Sequence, residues 1–479
     1  MMAPAQKKGM VAFWQTVGMR FLPFADAATA DLPLGRLLRL SMFQLSVGMA
    51  AVLLTGTLNR VMIIELGVPA SLVAIMIAIP VLAAPFRVLI GHRSDTYKSV
   101  LGWRRVPYIW LGTLLQFGGL AIMPFALLLM NSQTVGPEWA GPVAAAVAFL
   151  VTGVGMHTAQ TAGLALATDL AAPDSRPRVV ALVYVSLLVG MILASLSFGA
   201  LLDDFSATRL IQVIQGAAVV TVLLNVAALW KQEARNPQAT RADRDAPSFG
   251  EAWRAYRADK GTGRLLLAVG LGSAAFSMQD VLLEPFGGEI LGLSVSQTTY
   301  LTAAWATGAL LGFGFAGSLL HRGFNMHRVA ALGALTGIAA FTAVIMSSPL
   351  GSTPLFVAGV GLIGFGGGLF AVSTMLAAMA LADRSDSGFA IGAWSAVQAT
   401  AIGLGLAAGG IIRDVVNAQA TTGALGETLD TAVTGYNTVY HIEIILLFIS
   451  LAVIGPLTSR SDARMQPSST RFGLAELPG

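Results

Sequence analysis

Twelve apolar runs recur along the chain, each near the roughly 20 residues that a helix needs to cross a hydrocarbon core of about 30 Å. They lie near residues 40–64, 70–90, 107–130, 141–168, 179–202, 209–230, 264–288, 297–320, 328–348, 354–381, 389–412 and 437–457. In lipid each spanning segment must satisfy its own backbone, so runs of this length and number read as α-helices. With 55% of residues hydrophobic and 11% charged, no polar surface is available to cover a water-soluble globule. The chain therefore reads as an all-α polytopic membrane protein with twelve transmembrane helices.

Lysine and arginine set the orientation. With both termini cytoplasmic, the basic clusters fall inside: Lys7 and Lys8, residues 87–105, Arg176 and Arg178, residues 231–264, Arg322 with Arg328, and the tail. Only Arg60, Arg209 and Arg413 of the 29 basic residues then face outward, a strong positive-inside bias. The net charge of +4 belongs to loops beside an anionic leaflet, and no nucleic-acid surface is indicated. The absence of cysteine removes disulfides, thiolate metal sites and cysteine nucleophiles.

The chain divides into a cytoplasmic leader over 1–38, a six-helix half over 39–230, a linker over 231–263, a second six-helix half over 264–457 and a tail over 458–479. In the leader, Met10, Phe13, Trp14, Val17 and Phe21 share a helical face beside basic residues, as in a helix lying on the membrane surface. A cleaved signal peptide is not indicated. The linker mixes both charge signs with Pro and Gly, and its segment 249–260 reads either as a short amphipathic helix or as plain solvated chain.

An internal repeat is visible at the helix ends. Gly91 to Asp95 ends the second helix, Gly199 to Asp203 the fifth and Gly410 to Asp414 the eleventh, while Gly317 to His321 occupies the same register in the eighth. Three helices used four times would produce this pattern, with alternate copies inverted in the membrane. The halves also match directly: "LGVPAS" at 66–71 and "LGLSVS" at 291–296 stand 225 apart. A glycine at such an end admits a close neighbour, and the aspartate beside it accepts from exposed N–H groups at a neighbouring helix start. Gly91, Asp95, Arg104 and Arg105 thus read as a cytoplasmic latch around the second and third helices.

Polar groups inside the spans mark function or pairing. Thr55 and Asn59 share a face of the first helix, with Arg60 adjacent and Glu65 near the outer surface. In the seventh, Gln279, Asp280 and Glu284 occupy the corresponding depth, Glu284 standing 225 residues after Asn59. Two readings stay open: Asp280 and Glu284 as proton carriers, or an ion pair of Arg60 with one of them that closes the outer side. On the fourth helix His157, Gln160 and Thr161 share a face. A lone imidazole cannot build a zinc site, yet one is enough to ligate a chlorin magnesium, with Gln160 beside it; the alternative is hydrogen bonding to a neighbouring helix.

Two motifs fail on context. Gly359, Gly361 and Gly364 satisfy GxGxxG inside an apolar helix without the strand or acidic partner of a dinucleotide site, so close helix packing explains them. Asp203 and Asp204 lack the further aspartates of an intramembrane prenyltransferase. No catalytic set is recognisable, and the chain reads as a non-enzyme.

The loop "GHRSDTYKSVLGWRRVPYIW" resembles the signature loop of the major facilitator superfamily, which implies that family's twelve-helix fold of two halves with 3+3 inverted repeats. His321 departs from the pattern in the second half. More closely, "LPLGRLLRLSMFQLSVGMAAVLLTGTLNRVMIIELGVPASLVA", "FRVLIGHRSDTYKSVLGWRRVPYIWLGTLLQFGGLAIMPFALLLM" and "GLALATDLAAPDSRPRVVALVYV" resemble the PucC/LhaA family of purple phototrophic bacteria. This is the bacteriochlorophyll-delivery branch of the superfamily, and the similarity leans towards its LhaA members, associated with the core antenna. The resemblance implies an assembly factor in the intracytoplasmic photosynthetic membrane that supplies bacteriochlorophyll to antenna α and β polypeptides or shepherds them. The reaction centre and bacteriochlorophyll synthase are further partners it implies, while carotenoid is a candidate ligand of which the sequence carries no sign. A proton-coupled exporter and a transport-inactive scaffold for antenna helices remain the alternatives.

Overall fold

The computed structural model describes residues 32–83, 103, 105–130, 137, 139–172, 175–233, 260–381 and 387–462. The leader's surface helix, the linker segment 249–259, the tail beyond 462, and Gly91, Asp95 and Arg104 of the latch lie outside the described residues.

Twelve helices run through the described residues. In the first half they are α1 (Leu34–Glu65), α2 (Ala70–Leu82), α3 (Val106–Leu129), α4 (Ala140–Leu170), α5 (Arg176–Leu201) and α6 (Ala207–Leu229). In the second they are α7 (Gly261–Glu289), α8 (Val295–His321), α9 (Met326–Ser347), α10 (Thr353–Leu381), α11 (Ser387–Thr421) and α12 (Val433–Asp462). Eleven are long and apolar enough to cross a membrane; α2 is shorter, and the rest of its expected span lies outside the described residues. Helix α1 begins six residues before the expected 40, because Pro33 at its N-cap sets the start. Arg36 in that first turn donates to the Gln232 carbonyl just beyond α6 at 2.6 Å.

The two halves repeat one packing plan. Helix α1 lies against α5 and α6, α3 against α4 and α6, and α2 against α4; correspondingly α7 lies against α11 and α12, α9 against α10 and α12, and α8 against α10. The loops at offset 225 repeat as well. Gly67 and Gly292 stand at φ +65° and +66°, left-handed conformations that a side chain would strain. Each reverses the chain after a helix that leads out of the basic side.

The halves meet where α2 crosses α11 and where α5 crosses α8. Gly410 lets α2 come close enough that an added Cβ would stand 2.7 Å from the Ala70 carbonyl oxygen. Four residues on, Asp414 Oδ2 accepts from the Ser71 N–H at 2.7 Å, at the start of α2. This is the role the sequence repeat predicts for such an aspartate. In the corresponding seam Gly199 packs on the Tyr300 ring, but Asp203 is exposed, and the Ser195 hydroxyl donates to the Thr299 carbonyl instead. The fourth copy differs again, since His321 is exposed at the basic end of α8. These seams lie toward the outer ends of the helices, so the halves are closed together on that side.

Candidate functional site

Helices α1 and α7 are both irregular where they face each other. Within α1 the backbone widens to π turns at Val52–Thr57 and Val61–Glu65, and α7 tightens to a 3-10 turn at Met278–Val281. Such interruptions release backbone groups from the regular ladder and are frequent at functional sites. Here Asn59 Nδ2 donates to the Thr55 carbonyl at 3.1 Å and across to the Val281 carbonyl at 3.0 Å. Glu284 Oε1 accepts from the Thr302 hydroxyl at 2.9 Å, above Gly56 of α1. The polar residues matched at offset 225 therefore do meet at one level.

The pairing of Arg60 is a correction. Its guanidinium donates to Glu65 and, at 3.3 Å, to the Leu293 carbonyl, and lies over Gly288; it bridges neither Asp280 nor Glu284. In a regular α-helix, at 3.6 residues per turn, positions 60 and 65 diverge by about 140°. The π turn, closing five residues on, stacks them on one side, and sequence periodicity carries no sign of it. Asp280 instead accepts from the Gln279 side chain.

Sequence reading missed two further groups. On the outer side Arg413 Nη2 donates to Glu289 at 2.6 Å, and its Nη1 reaches Asp414 at 3.0 Å. Tyr436 Oη donates to Glu289 at 2.6 Å, and the guanidinium stands 4.7 Å over the Tyr436 ring. This cluster joins α7, α11 and α12 and, through Asp414, the start of α2. Deeper in α12, Glu443 is fully buried and accepts from the Gln279 backbone N–H at 2.6 Å. A lone carboxylate in the run "YHIEIILLF" is the signal that would have found it.

On α4, His157, Gln160 and Thr161 are half-buried and share a face. Gln160 lies 3.5 Å from Gln44 of α1, and the Thr161 hydroxyl donates to the His157 carbonyl at 2.7 Å. At the basic side, Arg105 Nε donates to Asp169 at 3.0 Å at the end of α4. Glu233, just beyond α6, accepts from the N–H groups of Arg105 and Val106 that open α3. The described part of the latch is thus a corner joining α3, α4 and α6. Glu233→Gln keeps an acceptor but removes the charge at a helix start, with an expected loss of about 0.5–1 kcal/mol that salt should mask, checked by thermal unfolding at low and high ionic strength.

The described residues also enclose a groove of about 740 Å³ between α5 and α6, floored by Leu45 and Met49 of α1. Its walls combine small residues such as Ser197, Ala200 and Gly216 with exposed apolar ones such as Leu193 and Val220. Arg209 and Gln212 stand at its outer end. His157 is not among its lining residues.

The family model described as "PUCC protein" matches residues 57–462. The chain belongs to the PucC family. A PucC protein of Rhodovulum sulfidophilum is 57% identical over 407 residues, 84% of this chain and 90% of that protein. A Rhodobacter capsulatus protein described as "uncharacterized protein in puhA-bchM intergenic region" is 56% identical over 469 residues, covering 97% and 98%. More distantly, the "bacteriochlorophyll synthase 44.5 kDa chain" of the same species is 29% identical, covering 77% and 85%. Among solved structures, a bacterial homologue of the lysosomal transporter Spinster, inward-facing and unoccupied, superposes with a TM-score of 0.68 at 16% identity, covering 90% of this chain and 98% of that one. This PucC-family chain therefore has the fold of major facilitator transporters and is a multi-pass membrane protein. The family match includes Asn59, His157, Asp280, Glu284, Arg413 and Glu443.

Proposed function

We propose that this chain is an assembly factor for light-harvesting antenna, acting in the photosynthetic membrane to hold bacteriochlorophyll and pass it to newly inserted antenna α and β polypeptides. The core antenna is the favoured client, and transfer proceeds by binding and release without covalent chemistry. One distant relative is named a bacteriochlorophyll synthase chain, which supports a pigment context, and the groove between α5 and α6 supports the pigment reading further. Its volume of about 740 Å³ falls in the range of small-molecule sites, about 300–1,000 Å³. A pigment's hydrocarbon tail therefore suits the groove, with Arg209 and Gln212 offering polar contacts at the outer end. His157 and Gln160 on α4 are the candidates to meet a chlorin ring, with His157 able to ligate its magnesium. Carotenoid is a further candidate ligand, and the reaction centre and bacteriochlorophyll synthase are candidate partners.

The test is the absorption spectrum of protein purified from a pigment-making host in mild detergent, with co-purifying polypeptides identified. Wild type should carry near-infrared bacteriochlorophyll bands. Gly216→Trp, whose Cβ meets open space, should lose most of them while remaining folded. His157→Ala should weaken or shift them if His157 ligates the magnesium. A colourless wild type that still brings down antenna polypeptides would replace pigment handling with the scaffold reading.

A further inference from the structure

We infer that α12 and the 3-10 turn of α7 form a site for a monovalent cation, Na⁺ or a proton, centred on Glu443. This carboxylate is fully buried. Its Oε1 takes the Gln279 N–H, while its Oε2 has no partner. One turn earlier on α12 the Tyr440 hydroxyl is buried without a partner. On the facing elements Gln279 Oε1 and Asn59 Oδ1 are likewise buried and unpartnered. Four buried oxygens on α1, α7 and α12, elements joined by the Asn59–Val281 and Gln279–Glu443 hydrogen bonds, therefore lack a hydrogen-bond partner, a deficit that a cation beside Glu443 would relieve.

Among the described residues no side-chain cation is paired with Glu443. From α7 the titratable groups at this level are Asp280 and Glu284, both acidic, and Asp280 lies within electrostatic reach of Glu443. From α11 come Arg413 and Asp414, with Arg413 engaged by Glu289 and Asp414. Helix α12 adds Tyr436 and Tyr440, α9 packs Phe341 against Tyr440, and Arg60 of α1 is held by Glu65. A carboxylate buried without counter-charge is strongly penalised, so the fold is satisfied only when something positive occupies the turn. Among the described residues no three His, Asp or Glu side chains converge as a zinc-like site requires, and the mixed carboxylate, amide and phenol oxygens suit a monovalent ion.

The site makes no use of pigment, so its test stands apart from the spectral one. Protein in mild detergent would be unfolded thermally in NaCl against choline chloride at fixed pH, and then over a pH series without Na⁺. If the ion is Na⁺, wild type should gain about 3 °C once NaCl reaches a hundredfold excess over the dissociation constant. If it is a proton, the gain should appear instead as pH falls, with Na⁺ inert. Glu443→Gln, isosteric with the neutral acid, should lose the Na⁺ response or, if the ion is a proton, show a smaller pH response than wild type, since Asp280 and Glu284 still titrate. Tyr440→Phe, which removes only an unpartnered oxygen, should weaken a Na⁺ response and decides the matter should Glu443→Gln not fold. Equal responses in wild type and whichever variants fold would overturn the site.

Discussion

Arg413→Ala should lower the stability of the folded protein by about 3–5 kcal/mol, the usual cost of breaking a buried ion pair from one side. The arginine side chain is only 10% exposed and holds Glu289, Asp414 and the Tyr436 hydroxyl together. Removing it leaves Glu289 and Asp414 without their shared counter-charge and takes the cation from the face of Tyr436. Arg413→Lys should recover part of the loss, because one ammonium cannot reproduce the forked contacts to both carboxylates. Thermal unfolding of the two variants beside wild type in the same detergent measures this directly. Indistinguishable midpoints would show that the cluster does not close the outer side.

Gly364→Val should prevent accumulation of folded protein. A Cβ at Gly364 would collide with the Trp305 carbonyl of α8, and backbone cannot yield as a flexible side chain does. Gly308, Gly312 and Gly368 make the same kind of contact along the α8–α10 crossing. Gly361, in the same apolar run, provides the control: its Cβ would have only the Ala304 carbonyl oxygen, at 3.8 Å, within reach, so Gly361→Ala should express normally. Size-exclusion profiles of fluorescent fusions separate the two outcomes. Normal profiles for Gly364→Val would remove packing as the reason for this glycine run.

Hydrophobic length and repeat register made much of the fold legible. The offset of 225 found Gly67 and Gly292, whose left-handed backbones match, and put Asn59 and Glu284 at one level. The glycine-to-aspartate spacing at the end of α11 anticipated the bond from Ser71 to Asp414. The candidate site was less legible for local reasons. Arg60 meets Glu65 only because the backbone leaves the α-helical period, and no residue pattern encodes a π turn. Glu443 and Tyr440 lie in the last helix, whose match to the turn of α7 is made by three-dimensional packing. The groove arises where α5 and α6 spread apart over α1, a property of neither helix alone.

The two seams on the outer side are unequal. At α2–α11 the acceptor is an aspartate carboxylate, whereas at α5–α8 a serine hydroxyl meets a backbone carbonyl. A hydrogen bond to a charged group contributes about 1.5–3 kcal/mol and a neutral one about 0.5–1.5 kcal/mol. Separation of the halves should therefore begin along α5, as a door opens on the side away from its hinge. Since α5 is also a wall of the groove, the first motion of that door would change the width of the place proposed for the cargo. Release would then be timed by the weaker seam.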